Sequence, residues 1–164
     1  MGNRVEMGYN SSLYVNTGTF ISPTWAELDL ARDVTGMDSV DKVDVTTRRT
    51  ARIGFKANDY GLAEKGWKAE MLVPAAGEVN AAFDAIEAAR KARETVDILH
   101  VEGGLVTTDD LNATRAVCGV FGGEKGEPLT GASTRNYELS FILNSDQDVP
   151  QYGTTSGGEF VPAS

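Results

Sequence analysis

One cysteine and one histidine are all that 164 residues hold of the two side chains most used for transition-metal binding and covalent chemistry. A disulfide framework within the chain and a cysteine-built zinc site are therefore excluded. Cys118 lies in the apolar run Ala116-Val117-Cys118-Gly119-Val120, where a lone thiol behaves as a small core residue. His100 closes the strand pattern Val96-Asp97-Ile98-Leu99 and has no second histidine to converge with, so it reads as a strand-end side chain. Long hydrophobic runs are also missing: nothing approaches the ~18 apolar residues of a membrane span, and the N-terminus lacks the apolar stretch of a signal peptide. The expectation is a protein made in a cytoplasm, soluble and not inserted into a membrane. Without secretion, the glycosylation patterns at Asn10-Ser11-Ser12 and Asn112-Ala113-Thr114 carry no weight.

Basic charge is scarce as well. Fifteen lysines and arginines face 24 aspartates and glutamates, giving a formal charge of −9. That balance disfavours tight non-specific binding to nucleic acid, which depends on neutralising phosphates. Catalytic motifs fail one by one. Gly122-Gly123-Glu124-Lys125-Gly126 has the composition of a phosphate loop but reverses its Gly-Lys order and runs into Glu-Pro instead of a helix. Asp38, Asp41 and Asp44 are spaced by three, whereas a calcium loop places ligands at every second position around a sharp-turn glycine. No catalytic residue, cofactor site or metal site is assigned.

What is present is strand alternation. A hydrophobic fraction of 41% suits one folded domain with a substantial core. Ser12 to Ile21, Trp25 to Ala31, Val43 to Thr47, Arg49 to Asn58, Gly66 to Pro74, Thr95 to Val101, Ala113 to Phe121 and Thr134 to Leu143 read as strands. In Arg49 to Asn58, Ala51, Ile53, Phe55 and Ala57 alternate with polar residues; in Gly66 to Pro74, Trp67, Ala69, Met71 and Val73 share a side. Trp25 and Trp67 are expected in the core. One helix is expected at residues 78–93, with Val79, Phe83 and Ile86 as its apolar stripe and Arg90, Lys91 and Arg93 in its last turn. A single amphipathic helix among strands covers a sheet face or a barrel end. Phe121 to Ser133 reads as a glycine-rich connection. Residues 1–12 read as an N-terminal arm, 13–145 as the β domain and 146–164 as a C-terminal tail.

The segment between Trp25 and Arg52 stands out. Its two alternating strand patterns are joined by an acidic loop, Asp33 to Asp44, carrying Asp33, Asp38, Asp41, Lys42 and Asp44, longer than the usual ~4–6 residues and so expected to contact something. Directly after it come Arg48, Arg49 and Arg52. Opposite charges in adjacent segments suggest that the loop of one copy faces the basic strand of another, a device for register and specificity.

The order of these elements, with Asp44-Val45-Thr46-Thr47-Arg48 ending the loop and Glu127-Pro128-Leu129-Thr130-Gly131-Ala132 before the last strand, resembles a major tail tube protein of long-tailed bacteriophages over roughly residues 13–145. The resemblance implies a mainly β fold, a β-sandwich or barrel with one flanking helix. Six copies would join inner sheets into a ring, rings would stack into a hollow tube for DNA, and the Asp33 to Asp44 loop would reach the adjacent ring. It also implies a virion protein assembled in the host cytoplasm, with tail tip or baseplate, tape measure and tail terminator proteins as partners and an acidic lumen past which DNA slides. Tube subunits of contractile injection or type VI-like secretion machines share this fold. A monomeric β-barrel enzyme or ligand-binding domain, with the acidic loop as lid, is the alternative of a different class.

Overall fold

The computed structural model describes residues 11–54, 56–142 and 150–163. Nine strands and two helices follow in the order β1 (Ser12–Asn16), β2 (Trp25–Glu27), β3 (Ala31–Asp44), α1 (Arg48–Arg52), β4 (Asn58–Leu72), α2 (Ala81–Ala92), β5 (Thr95–Val101), β6 (Asn112–Gly126), β7 (Thr134–Phe141), β8 (Gln151–Ser156) and β9 (Glu159–Pro162). Every strand pairing is antiparallel, and the sheet runs β2-β1-β5-β6-β7-β4-β3 with β8 and β9 branching from β6. The fold is mainly β with α2 as its flanking helix.

Alternation explains the burial. Leu13 and Val15 of β1, Trp67, Ala69 and Met71 of β4, Val96 and Ile98 of β5, Ala116 and Cys118 of β6, and Tyr137 and Leu139 of β7 all meet in one core. Helix α2 closes it with Ala82, Phe83, Ile86 and Ala89. The intervening residues Tyr14, Leu99, Val101 and Ala113 point the other way into a second cluster, packed by Trp25, Leu111 and Phe160. The sheet curls until its two ends meet: the Leu28–Leu30 turn donates Leu28 N–H to Leu13 O (2.8 Å), and Leu30 O accepts from Leu72 N–H (2.9 Å).

Helix α2 begins where Asn80 Oδ1 accepts from Phe83 N–H at 3.0 Å and ends at Arg93, which adopts the left-handed conformation at φ 57°. The expected helix was residues 78–93. Glu78 and Val79 instead precede the cap, and Val79 is exposed, so the apolar stripe starts at Ala82.

Three further expectations are corrected. Asp33 to Asp44 is not a loop but most of β3, paired with β4 along its length except at the Asp41 bulge. Arg49 to Asn58 is not a strand: Thr47 and Thr50 cap each other's backbone N–H groups, α1 forms over Arg48–Arg52, and Gly54 at φ 83° turns the chain back. Within the segment 146–164, residues 151–162 form the β8–β9 hairpin around Gly157-Gly158, whose φ values of 61° and 79° are those of a two-residue hairpin turn. Residues 1–10 of the expected arm, Phe55 of the expected Arg49 to Asn58 strand, residues 143–145 at the end of the expected β domain, and residues 146–149 and 164 of the expected tail lie outside the described residues.

Candidate assembly surface

β6 is long enough to serve two neighbourhoods. Its first half pairs with β5 and β8, and its second half with β7, which in turn pairs with β4 and β4 with β3. Strands β3, β4, β7 and the second half of β6 therefore make a four-stranded half-sheet. One of its faces is core. On the other, directly paired residues fall in rows, because opposed residues of antiparallel strands share a face. One row reads Asp33, Glu70, Asn136, Glu124; the next reads Thr35, Lys68, Glu138, Phe121. With Glu64 opposite Ser39, this face holds carboxylates of Asp33, Glu64, Glu70, Glu124 and Glu138 against Lys68 and Arg32, which approaches Glu70 at 3.9 Å. A shallow groove runs across it, bordered by Asp33, Lys68, Glu70, Glu124 and Glu138.

β3 and β4 outrun the rest of the half-sheet. The β4–β7 ladder stops at the rung Gly66–Ser140, where a Cβ on Gly66 would stand 2.0 Å from Leu139 O. No side chain fits that approach. Beyond Met37 and Gly66 the two strands continue alone to the Asp44–Asn58 rung, an arm about 23 Å long at ~3.3 Å per residue, tipped by α1. Almost all of it is exposed, including Val40, Val43, Val45, Ile53, Tyr60 and Leu62.

The arm distributes the sequence-predicted site residues. Asp33 lies at its base on the acidic face. Asp38 projects to the opposite face, 4.0 Å from Lys65. Asp41 sits in a bulge between Val40 and Lys42, and Lys42 lies opposite Tyr60. Asp44 ends the strand, where Thr46, through its hydroxyl and then its backbone N–H (2.9 Å to Oδ1), holds the carboxyl below its ordinary range; Lys56 stands 3.9 Å away. Arg48, Arg49 and Arg52 are gathered at the tip, and no ion pair among the described residues engages them. Acidic shaft and basic tip are thus parts of one projection, separated along its length.

Two buried ionic clusters brace the body. Glu87 of α2 receives both Nε and a terminal nitrogen of Arg90 at 3.0 Å, together with the hydroxyl of Tyr137, and Arg135 stands 3.7 Å away. Arg90, then Tyr137 and Arg135, outweigh desolvation and hold the Glu87 carboxyl at about 2. Burial and the Glu87 carboxylate push the Tyr137 phenol up. Asp97 and Arg115 pair at 2.5 Å, with the guanidinium 3.9 Å from the Phe20 ring centroid and donating to Phe20 O. These clusters fasten α2 and the β1–β2 turn to the sheet. His100 stacks on Trp67 with ring centroids 5.7 Å apart, and Cys118 is fully buried with its thiol pushed up by desolvation. Trp67 is core as expected, whereas Trp25 is only half-buried, beside Arg115. Among the described residues, no group of three or more histidine, cysteine or carboxylate side chains could hold a metal ion, and no helix is long and apolar enough to cross a membrane.

Neither a family model nor a curated protein matches the chain. Solved structures do. The hybrid solid-state NMR and cryo-EM structure of the SPP1 tail tube superposes with a TM-score of 0.66 at 12% identity, over 85% of this chain and 77% of that one. The chain has the fold of a tail tube protein. A subunit from the tail of an empty GTA particle, refined helically in C6 symmetry, gives 0.62 at 10% identity over 80% and 92% of the two chains. At such identities the likeness is one of fold. Sequence reasoning found the arm's charges but missed its geometry, and missed that the second half of β6 extends the half-sheet. The one available signal was the length of β-compatible chain from Ala113 past Gly122.

Proposed function

We propose that this chain is a major tail tube subunit, a structural virion protein that polymerises as stacked hexameric rings into a hollow tube through which phage DNA passes during ejection. The observation that carries this reading is the four-stranded half-sheet: in a chain with the tail-tube fold, it has an acidic free face and extends into a bare, projecting arm. Isolated two-stranded ribbons are marginal in water, so an arm exposing Val40, Val43, Tyr60 and Leu62 is stabilised when another surface covers it. The C6 symmetry of the GTA tail supports six copies per ring. In this reading the arm contacts the adjacent ring, with Asp33, Asp38, Asp41, Lys42 and Asp44 along its shaft and Arg48, Arg49 and Arg52 meeting acidic surface on the neighbouring copy. The rest of each copy is strongly acidic, since the whole carries −9 including this tip.

The lumen is acidic and repels phosphate, so DNA slides without sticking. The subunit works in the phage tail after assembly in the host cytoplasm, alongside tail tip or baseplate, tape measure and tail terminator proteins, and needs no cofactor. Negative-stain electron microscopy of the purified protein at high concentration, with and without tail-initiation components, tests the proposal. Hollow tubes of stacked rings are expected; a monomer under both conditions overturns it.

A further inference from the structure

A β-bulge interrupts β6 inside the half-sheet. Gly122 pairs with Tyr137 and Glu124 with Asn136, so Gly123 is one residue more than β7 can oppose. A bulge of this kind bends its strand and increases the local twist. Glycine makes it affordable: φ is 77° at Gly122 and 88° at Gly123, a region that side chains rarely adopt. β5 accompanies β6 only as far as Gly119, so among the described residues no strand on that side stiffens the bend.

What lies against the bulge comes from α2 and β7. A Cβ on Gly123 would stand 2.6 Å from Arg90 Cδ and 2.8 Å from its Nε, so the bulge rests directly on the Arg90 side chain. Arg135 donates Nη1–H to Gly123 O at 2.8 Å, while its Nε stands 3.7 Å from Glu87. Glu87 in turn receives Arg90 through two nitrogens and the hydroxyl of Tyr137, the residue paired with Gly122. A single carboxylate on α2 is thereby joined to the underside of the bulge through Arg90, to its carbonyl through Arg135 and to its partner strand through Tyr137. Attachment of the helix alone does not call for this, since Ala82, Phe83, Ile86 and Ala89 already seal α2 onto the core.

We propose that Glu87, Arg90 and Arg135 form a latch that fixes the bend of β6 at Gly122-Gly123, and that this bend sets the bore of the tube, the second clause resting on the tail-tube reading. A ring closes only when every copy contributes the same turn, and bulges and glycine kinks are what give a sheet its curvature. A guanidinium suits the task. Its rigid fork reaches a carboxylate and a carbonyl at once, whereas the ammonium of lysine is a single point on a flexible stem.

Arg135→Lys keeps the charge beside Glu87 but breaks the bridge, and Gly123→Ala drives a methyl group into Arg90. Amide hydrogen exchange on the unassembled subunit reads the latch. Residues 124–126 are expected to exchange about tenfold faster in Arg135→Lys, the effect of losing a hydrogen bond from a charged donor, with α2 protected as in wild type. Arg115→Lys loosens the other buried pair, in the first half of the same strand, and leaves residues 124–126 as slow as in wild type. Electron microscopy of assembled chains reads the bore. Tubes of altered or uneven diameter, or open arcs, are expected from Arg135→Lys and Gly123→Ala, and tubes of wild-type diameter from Arg115→Lys; should Gly123→Ala fail to fold, Arg135→Lys alone decides. Unchanged exchange in Arg135→Lys overturns the latch, whether or not the chain assembles. Faster exchange together with tubes of wild-type diameter from Arg135→Lys overturns the link to the bore and leaves the tail-tube reading standing. A wild-type chain that makes no tubes fails that reading and the bore with it, while the exchange rates still decide the latch.

Discussion

Glu87 is the residue on which the attachment of α2 turns. It is only 11% exposed at the side chain, yet carries a full charge held by Arg90, Arg135 and Tyr137. Its folded-state carboxyl titrates at about 2 against an ordinary 4.5. A depressed folded value means the contribution to stability is fully present above about 4.5 and is lost as pH falls from there towards 2. Glu87→Gln removes that dependence and leaves the two arginines facing a neutral amide. The expected cost is about 1–3 kcal/mol at neutral pH, since hydrogen bonds to a charged, buried acceptor are the strong kind. Urea denaturation at pH 7 and pH 3 measures it. The gap between wild type and variant narrows at the lower pH; an equal gap at both would mean that charge is not what holds the helix.

At the scale of elements, the core strands and α2 were legible and the arm was not, for one physical reason. Alternation in a sequence records a difference between two faces. β4 from Gly66 to Leu72 has core on one side and solvent on the other, so Trp67, Ala69 and Met71 announce it. β3 has solvent on both sides along most of its length, and bulges at Ala31/Asp33 and Val40/Lys42 shift what phase there is. Its charges therefore read as a loop. The tip misled in the opposite sense, because Ala51, Ile53 and Ala57 alternate by chance while the Thr47–Thr50 cap and Gly54 dictate a turn. The β8–β9 hairpin was missed and read as tail, although Ser-Gly-Gly-Glu between β-branched and aromatic residues is a hairpin signal. Because the arm is a ribbon, removing it requires cutting both strands. Excising residues 38–65 and joining Met37 to Gly66 through an Asn-Gly turn leaves the core and the β4–β7 ladder intact. The trimmed chain is expected to fold with a melting temperature within a few degrees of wild type and to make no tubes by electron microscopy. Tubes of normal length from it would show that stacking does not use the arm.

For the whole molecule, the question is what a negative protein gains from placing part of its charge on one flat face. Surface carboxylates scattered elsewhere would confer solubility equally well, and the formal charge of −9 alone does not distinguish the two uses. Position does. Glu70 and Glu138 sit on neighbouring strands in the middle of the half-sheet, on the face away from the core, and in the proposed ring that face would line the bore. Within a Debye length of about 8 Å at physiological salt, such a wall raises the energy of an approaching phosphate, and a duplex running down the axis meets no attractive contact. Reversing those two charges, Glu70→Lys with Glu138→Lys, changes each copy's wall by four units without touching the buried clusters. Tubes of unchanged diameter are expected, because the substituted side chains point away from the core. They are expected to retain double-stranded DNA at ~50 mM salt and to release it steeply as salt rises towards ~200 mM, the signature of phosphate neutralisation, whereas wild-type tubes bind none at either concentration. A filter-binding titration on assembled tubes reads both arms. Wild-type tubes that hold DNA as tightly as the variant would mean that the acids serve solubility and that passage depends on bore width alone.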